Sequence, residues 1–199
     1  MRFRGLSTIV CGLLFLFLNI NISGFDVVPD FVGYCLILVG LSSLKAEHSA
    51  FGKAVPPAIL LLVHSLWQMW EAFMAGKSST DFMIPDMMAE TATFSGSLWL
   101  NWLIGLIACW CSIVLRLSIG RGMTDLLRDR ELFSEASKTS TCVVWNAVVI
   151  IAVALLTFPP ILPMMQVLGI PLTVVGLIVG IWLMIRIQYN RRLLEADYN

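Results

Sequence analysis

Residues Lys53–Lys77 read "KAVPPAILLLVHSLWQMWEAFMAGK". Glu71 is the only formal charge between the two lysines, and at 1.5 Å per residue the run covers ~30 Å, the thickness of a bilayer's hydrocarbon. Pro56 and Pro57 suit the first turn of a helix and Gly76 suits its end. The stretch is therefore expected to cross a membrane once, as a helix over about 56–76, with the two lysines on opposite sides.

Five further apolar stretches lie outward from it, at about 6–22, 29–45, 93–117, 141–158 and 165–187. A hydrophobic content of 58%, a charged content of 13% and a mean hydropathy of +0.86 leave no composition for a separate soluble domain. The expected fold is all-α: a polytopic integral membrane protein of six transmembrane helices, forming a single transmembrane domain over 1–199. In lipid each crossing must be helical, because an open strand leaves backbone groups unpaired.

The basic residues set the orientation. Arg2 and Arg4 precede the first span, Lys45 and Lys53 separate the second from the third, and Arg116, Arg121, Arg128, Arg130 and Lys138 lie at or between the fourth and fifth. Arg186, Arg191 and Arg192 follow the sixth, so of thirteen Lys and Arg residues Lys77 alone falls on the other side. Short cytoplasmic loops carry an excess of Lys and Arg, which places both termini in the cytoplasm. The formal net charge is zero and the cations are spread over four segments, which excludes a nucleic-acid partner. The first apolar stretch exceeds a signal peptide's h-region and lacks an A-x-A-like site, so it reads as a retained signal-anchor. Cys11, Cys35, Cys109, Cys111 and Cys142 all fall in or beside apolar stretches, an odd set of packing residues rather than a disulfide framework.

Two segments lie between spans without crossing. The outer one, about 81–90, mixes Phe82, Met83, Ile84, Met87 and Met88 with Asp81, Asp86 and Glu90, and is expected to lie on the outer surface. The inner one, about 121–138, follows a break at "SIGRGM" (118–123). It places Met123, Leu126, Leu127 and Phe133 near one helical face, the pattern of an interfacial amphipathic helix or a solvated connector. Pro159, Pro160 and Pro163 imply a tight outer turn, and Pro171 a kink in span six. Gly176 and Gly180 form a GxxxG pair that favours close helix approach. The strings "VVPD" (27–30) and "MIPD" (83–86) match in character, but their flanks do not follow as a repeat would.

Polar groups inside a membrane are expensive, so they are paired or functional. His64, Gln68 and Glu71 stand at offsets of zero, four and seven, on one face of span three. Asp26, Asp30 and Asn101 fall in the same outer half, and these six residues form the candidate ligand-binding set. Each has a plainer account. Pro29-Asp30 and Pro85-Asp86 fit helix starts, Glu71 can reach interfacial water, Trp67, Trp70 and Trp99 suit an aromatic belt, and one buried His commonly bridges helices. There is no HExxH, GxSxG, P-loop or Cys-rich spacing, so no catalytic residue, metal site or cofactor is expected.

The stretch "NINISGFDVVPDFVGYCLILVGLSSL" (19–44) resembles the opening of small, uncharacterised polytopic membrane proteins of Gram-positive bacteria. The motif is Asp, two apolar residues, then Pro-Asp-Phe-x-Gly-Tyr, here Asp26 through Tyr34. The resemblance covers about the first quarter of the chain, and it implies a bacterial plasma membrane and no particular chemistry. The leading expectation is a non-enzymatic membrane protein that binds or transports a small ligand or cation through the outward acidic and amide cluster. The alternative is an accessory or scaffold subunit that meets a membrane-protein partner through its helix faces and the inner segment. A third reading is a membrane-embedded enzyme using outer carboxylates, with Asp30 and Glu71 as the acid–base pair.

Overall fold

The computed structural model describes residues 4–17, 21–22, 25–26, 30–74, 96–156 and 162–196. Its helices are α1 (Arg4–Phe17), α2 (Asp30–Leu44), α3 (Ser49–Lys53), α4 (Val55–Met74), α5 (Gly96–Asp129), α6 (Phe133–Leu156) and α7 (Leu162–Ala196). Between α1 and α2, β1 (Asn21–Ile22) pairs antiparallel with β2 (Phe25–Asp26), Asn21 opposite Asp26 and Ile22 opposite Phe25. The expected first span thus stops short of Ile22. Asn21 and Ile22, at its expected outer end, lie in a short antiparallel pair instead.

Consecutive long helices pack side by side, and α1 meets α7, so the six close into a ring. Ser49–Trp70, Leu103–Asp129 and Phe133–Leu155 are long and apolar enough to cross a membrane, and Gly5–Leu16 and Asp30–Leu44 are shorter apolar helices. Large apolar side chains cover the outside of the bundle as well as its core, unlike a water-soluble bundle. Trp110 is 68% exposed, and Leu60, Trp67, Trp145, Ile178 and Ile185 also point outward, whereas Thr139, Asn146 and Asn190 are buried. Long apolar helices with an outward apolar belt are the hallmark of a membrane protein.

The closest helix approach is between α1 and α2. Gly5 lies against Gly40 and Gly12 against Gly33, so near that a Cβ on Gly12 would stand 2.6 Å from the Gly33 carbonyl oxygen. A Cβ on Gly40 would stand 2.6 Å from the Gly5 oxygen. Spacings of seven in both helices bring the glycines together as antiparallel neighbours. Around them α2 buries Ile37, Leu41 and Leu44 against Leu6, Ile9 and Leu13.

At the end where α1 begins, α3 forms a floor. Fully buried Phe51 lies on Gly122 of α5, where a Cβ would meet its ring at 2.8 Å. His48 caps α3: the Ala50 N–H donates to His48 Nδ1 at 3.2 Å. That bond requires an unprotonated Nδ1, so in the neutral ring the proton sits on Nε2, which faces Asp125 of α5 at 3.8 Å. Exposed Lys45, Lys53 and Arg121 mark this floor.

The inner segment corrects the sequence reading. No break occurs at 118–123 and no separate amphipathic helix occupies 121–138, because α5 runs unbroken to Asp129 and α6 begins at Phe133. Glycine costs a helix about 1 kcal/mol relative to alanine, but both glycines here are packing sites. Gly120 admits Val143, whose Cγ2 would lie 2.5 Å from a Cβ, and Gly122 admits Phe51. Close packing offsets the local penalty. Leu127 is therefore core rather than a membrane-facing residue, Leu126 is half-buried, and only Phe133 of that face stays exposed. Helix α7 likewise continues through Pro171 to Ala196, well past the expected end at Ile187. The α5 end projects ~10 Å beyond Gly122, with Met123, Leu127, Ala136, Ile187 and Leu194 buried between α5, α6 and α7.

Helix α5 ends in a Schellman motif: Leu132 N–H donates to Leu127 O at 2.9 Å and Glu131 N–H to Arg128 O at 2.9 Å. The left-handed residue is Glu131, at φ 60°. A side chain pays for this conformation in backbone strain, so Glu131→Gly is expected to stabilise the fold by about 1 kcal/mol. The thermal midpoint in detergent checks this, and an unchanged or lower midpoint contradicts it.

Candidate functional site

Helical rise places each candidate above the floor. Counted from Val55, His64 stands ~14 Å up, Gln68 ~20 Å and Glu71 ~24 Å; counted from Leu44, Asp30 stands ~21 Å up. Asn101 is ~30 Å above Arg121, and Asp26 lies in the hairpin beyond α2. Asp30 is half-buried at the first turn of α2, and Gln68 is exposed among equally exposed Leu66, Trp67, Met69 and Trp70. The side chains of Asp26, Glu71 and Asn101 are outside the described ones, as are Lys77, residues 81–90 and residues 157–161, where the tight outer turn was expected.

His64 is the deepest of the set on α4. It faces α5, in a cleft of about 120 Å³ with Leu60, Leu61, Ile104, Ile107, Ala108 and Cys111. The cleft is apolar apart from the imidazole and one thiol. The four α5 residues stand at the i, i+3, i+4 and i+7 positions of one face.

A second polar set occupies the floor half of the bundle. Arg116 Nη1 donates to Asn146 Oδ1 at 2.6 Å, joining α5 to α6. Tyr34 of α2 and Cys109 lie within electrostatic reach of the guanidinium. An enclosed void of about 10 Å³, room for one water at most, touches Arg116, Thr139 and otherwise apolar side chains of α1, α5, α6 and α7. Nearer the α7 end, Glu135 is held between Lys138 Nζ, at 2.8 Å, and Arg186, whose guanidinium also lies 5.5 Å from the Tyr189 ring centroid. Thr139 donates to the Glu135 carbonyl at 2.7 Å and accepts from Asn190 Nδ2 at 2.8 Å, so the hydroxyl satisfies both helices at once. Among the described residues, Arg186 Nε, Gln188 Oε1, Asn190 Oδ1 and Arg191 Nε are buried without a hydrogen-bond partner.

These pairs join residues 30 and 51 positions apart. The one sequence signal for them is that Arg116 and Asn146 are strongly polar residues set in apolar runs. Among the described residues no group of three His, Cys, Asp or Glu converges as metal ligands would. Comparisons with known protein families, curated proteins and solved structures find no match to this chain.

Proposed function

We propose that the chain is a six-crossing protein of a bacterial plasma membrane, with both termini and the α3 floor in the cytoplasm. At its outer side it binds or transports a small ligand or cation. Its candidate residues are Asp30, Gln68 and Glu71, with Asp26 and Asn101 further along the chain's outer half. What supports the reading is their common height: Asp30, Gln68 and Glu71 stand ~20–24 Å above the floor, on α2 and α4, which pack together. Acidic and amide groups are expensive at that depth, so they are paired or functional. Tyr34 and Arg116 lie deeper along the same bundle, and the small void leaves no room for ligand below them.

Thermal stability in detergent, screened against cations and small polar solutes, tests the site. A true ligand raises the midpoint by several degrees and Asp30→Asn abolishes the rise; no solute exceeding about a degree retires the outer pocket. For orientation, an impermeant maleimide on whole cells should label Ser79→Cys and spare Ser134→Cys. The opposite pattern inverts the topology. The accessory reading keeps one observation in its favour, Phe133, 63% exposed on the projecting floor end. Its experiment is Phe133→Ser alone, because Leu127 is core.

A further inference from the structure

We infer that the α3 floor carries a pH-operated latch: protonating His48 at Nδ1 releases the N-cap of α3 and leaves the ring an imidazolium beside the Asp125 carboxylate. The inference holds whichever side of a membrane the floor faces. It does not depend on the outer polar set.

Residue 48 is the joint between α2 and α3. Its backbone N–H donates to the carbonyl of Leu44, the last residue of α2, at 3.2 Å, and its own carbonyl accepts from the Phe51 N–H at 3.2 Å. The backbone there is extended, at φ −151° and ψ 135°, as an N-cap residue requires, and the ring completes the cap by accepting from the Ala50 N–H at 3.2 Å. The usual cap residues Ser, Thr, Asp and Asn keep an acceptor oxygen at any ordinary pH. An imidazole nitrogen instead loses its lone pair to a proton, and imidazole is the side chain whose charge changes between about pH 5 and pH 8.

The proton comes from solvent, which reaches both groups: the His48 side chain is 27% exposed and that of Asp125 40%. Once on Nδ1 it sets donor against donor with the Ala50 N–H, so the two must part. Charged groups on the elements packed against α3 are Lys45 and Glu47 after or beside the end of α2, Lys53 on α3 itself, and Arg121, Asp125 and Arg128 on α5; the described side chains of α4 carry none. Asp125 stands in ion-pair range, 3.8 Å from Nε2, so the imidazolium has a carboxylate to hold it while the cap opens. Phe51 is fully buried on Gly122 by apolar contact that a proton does not touch. The opening is therefore confined to the first turn of α3 and its link to α2.

The test compares the full chain in nanodiscs at about pH 5 and about pH 8, by amide hydrogen exchange corrected for the intrinsic rate at each pH and by NMR of ring-labelled histidine. The His48 ring signal, identified by its loss in His48→Asn, is expected to titrate within that interval. Protection at Ala50 should fall about fivefold on acidification, the usual contribution of an N-cap, while protection in the middle of α6 stays constant. His48→Asn, whose amide oxygen caps without titrating, should give equal protection at both pH values, and His48→Ala should give the low value at both. A ring that does not titrate between the two pH values overturns the inference. So does a titrating ring with unchanged protection at Ala50, or a fall in protection that persists in His48→Asn.

Discussion

Gly12→Val is expected to abolish the folded, monodisperse protein or to lower its thermal midpoint further than any other single substitution on α1. The first carbon of the new side chain would lie 2.6 Å from the Gly33 carbonyl oxygen, 2.8 Å from Ile37 Cγ1 and 3.0 Å from the Ile37 nitrogen. Two of those atoms are backbone, so no rotamer change relieves the clash and the helices must separate. Separation also pulls apart the Gly5–Gly40 contact one heptad away and the packing of Leu6, Ile9 and Leu13 on α2. Overpacking a core costs about 1–3 kcal/mol, and a clash against backbone belongs at or above the top of that range, against a total stability of about 5–15 kcal/mol. Gly105→Ala is the control, since a Cβ there meets nothing within 4 Å. It should leave the midpoint unchanged or raise it by the equivalent of less than about 1 kcal/mol. Should the two variants behave alike, α1 and α2 are not in direct backbone contact.

Glu135→Leu is expected to destabilise the floor end by about 3 kcal/mol, the low end of what breaking a buried ion pair costs. Glu135 and Arg186 are 17% and 16% exposed, so some solvent still reaches both. Removing the carboxylate leaves the Arg186 guanidinium, whose Nε already lacks a partner, with only the Tyr189 ring nearby among the described contacts. Arg186→Met should cost less, because Glu135 retains Lys138. The double variant should recover most of the loss, since two apolar residues of similar volume leave no orphaned charge. A double-mutant cycle on the thermal or denaturant midpoint measures the coupling. A coupling below about 0.5 kcal/mol would mean the pair is solvated and the projecting end is held by its apolar core alone.

Where apolar runs are bounded by charges and prolines, the helices were legible. The expected 29–45 and 56–76 compare with Asp30–Leu44 and Val55–Met74. Burial of apolar surface is a local property of the chain, and a one-dimensional pattern reports it. The joins were less legible. "SIGRGM" and "FSEASKTS" look like connector, yet both are helix, because Val143 and Phe51 fill the glycine gaps and Thr139 and Glu135 find partners on α7. Gly176 and Gly180 carry the recognisable small-residue spacing. A Cβ on Gly176 would nonetheless meet only Val149, at an ordinary 3.5 Å, while the tight approach uses glycines spaced by seven in α1 and α2.

The same division runs through the candidate sites. By itself the sequence determined that the chain is helical and apolar enough for a membrane. Both follow from residue order, because apolar runs of that length have few other ways to satisfy their backbone in lipid. Only the tertiary structure decided that His64 lines a cleft against α5, that Arg116 meets Asn146, and that Glu135 meets Arg186. Those outcomes depend on which helix stands beside which and at what rotation, and that is fixed by the glycine contact of α1 with α2 and the closure of α1 on α7. Both are long-range packing events, and no local pattern encodes them.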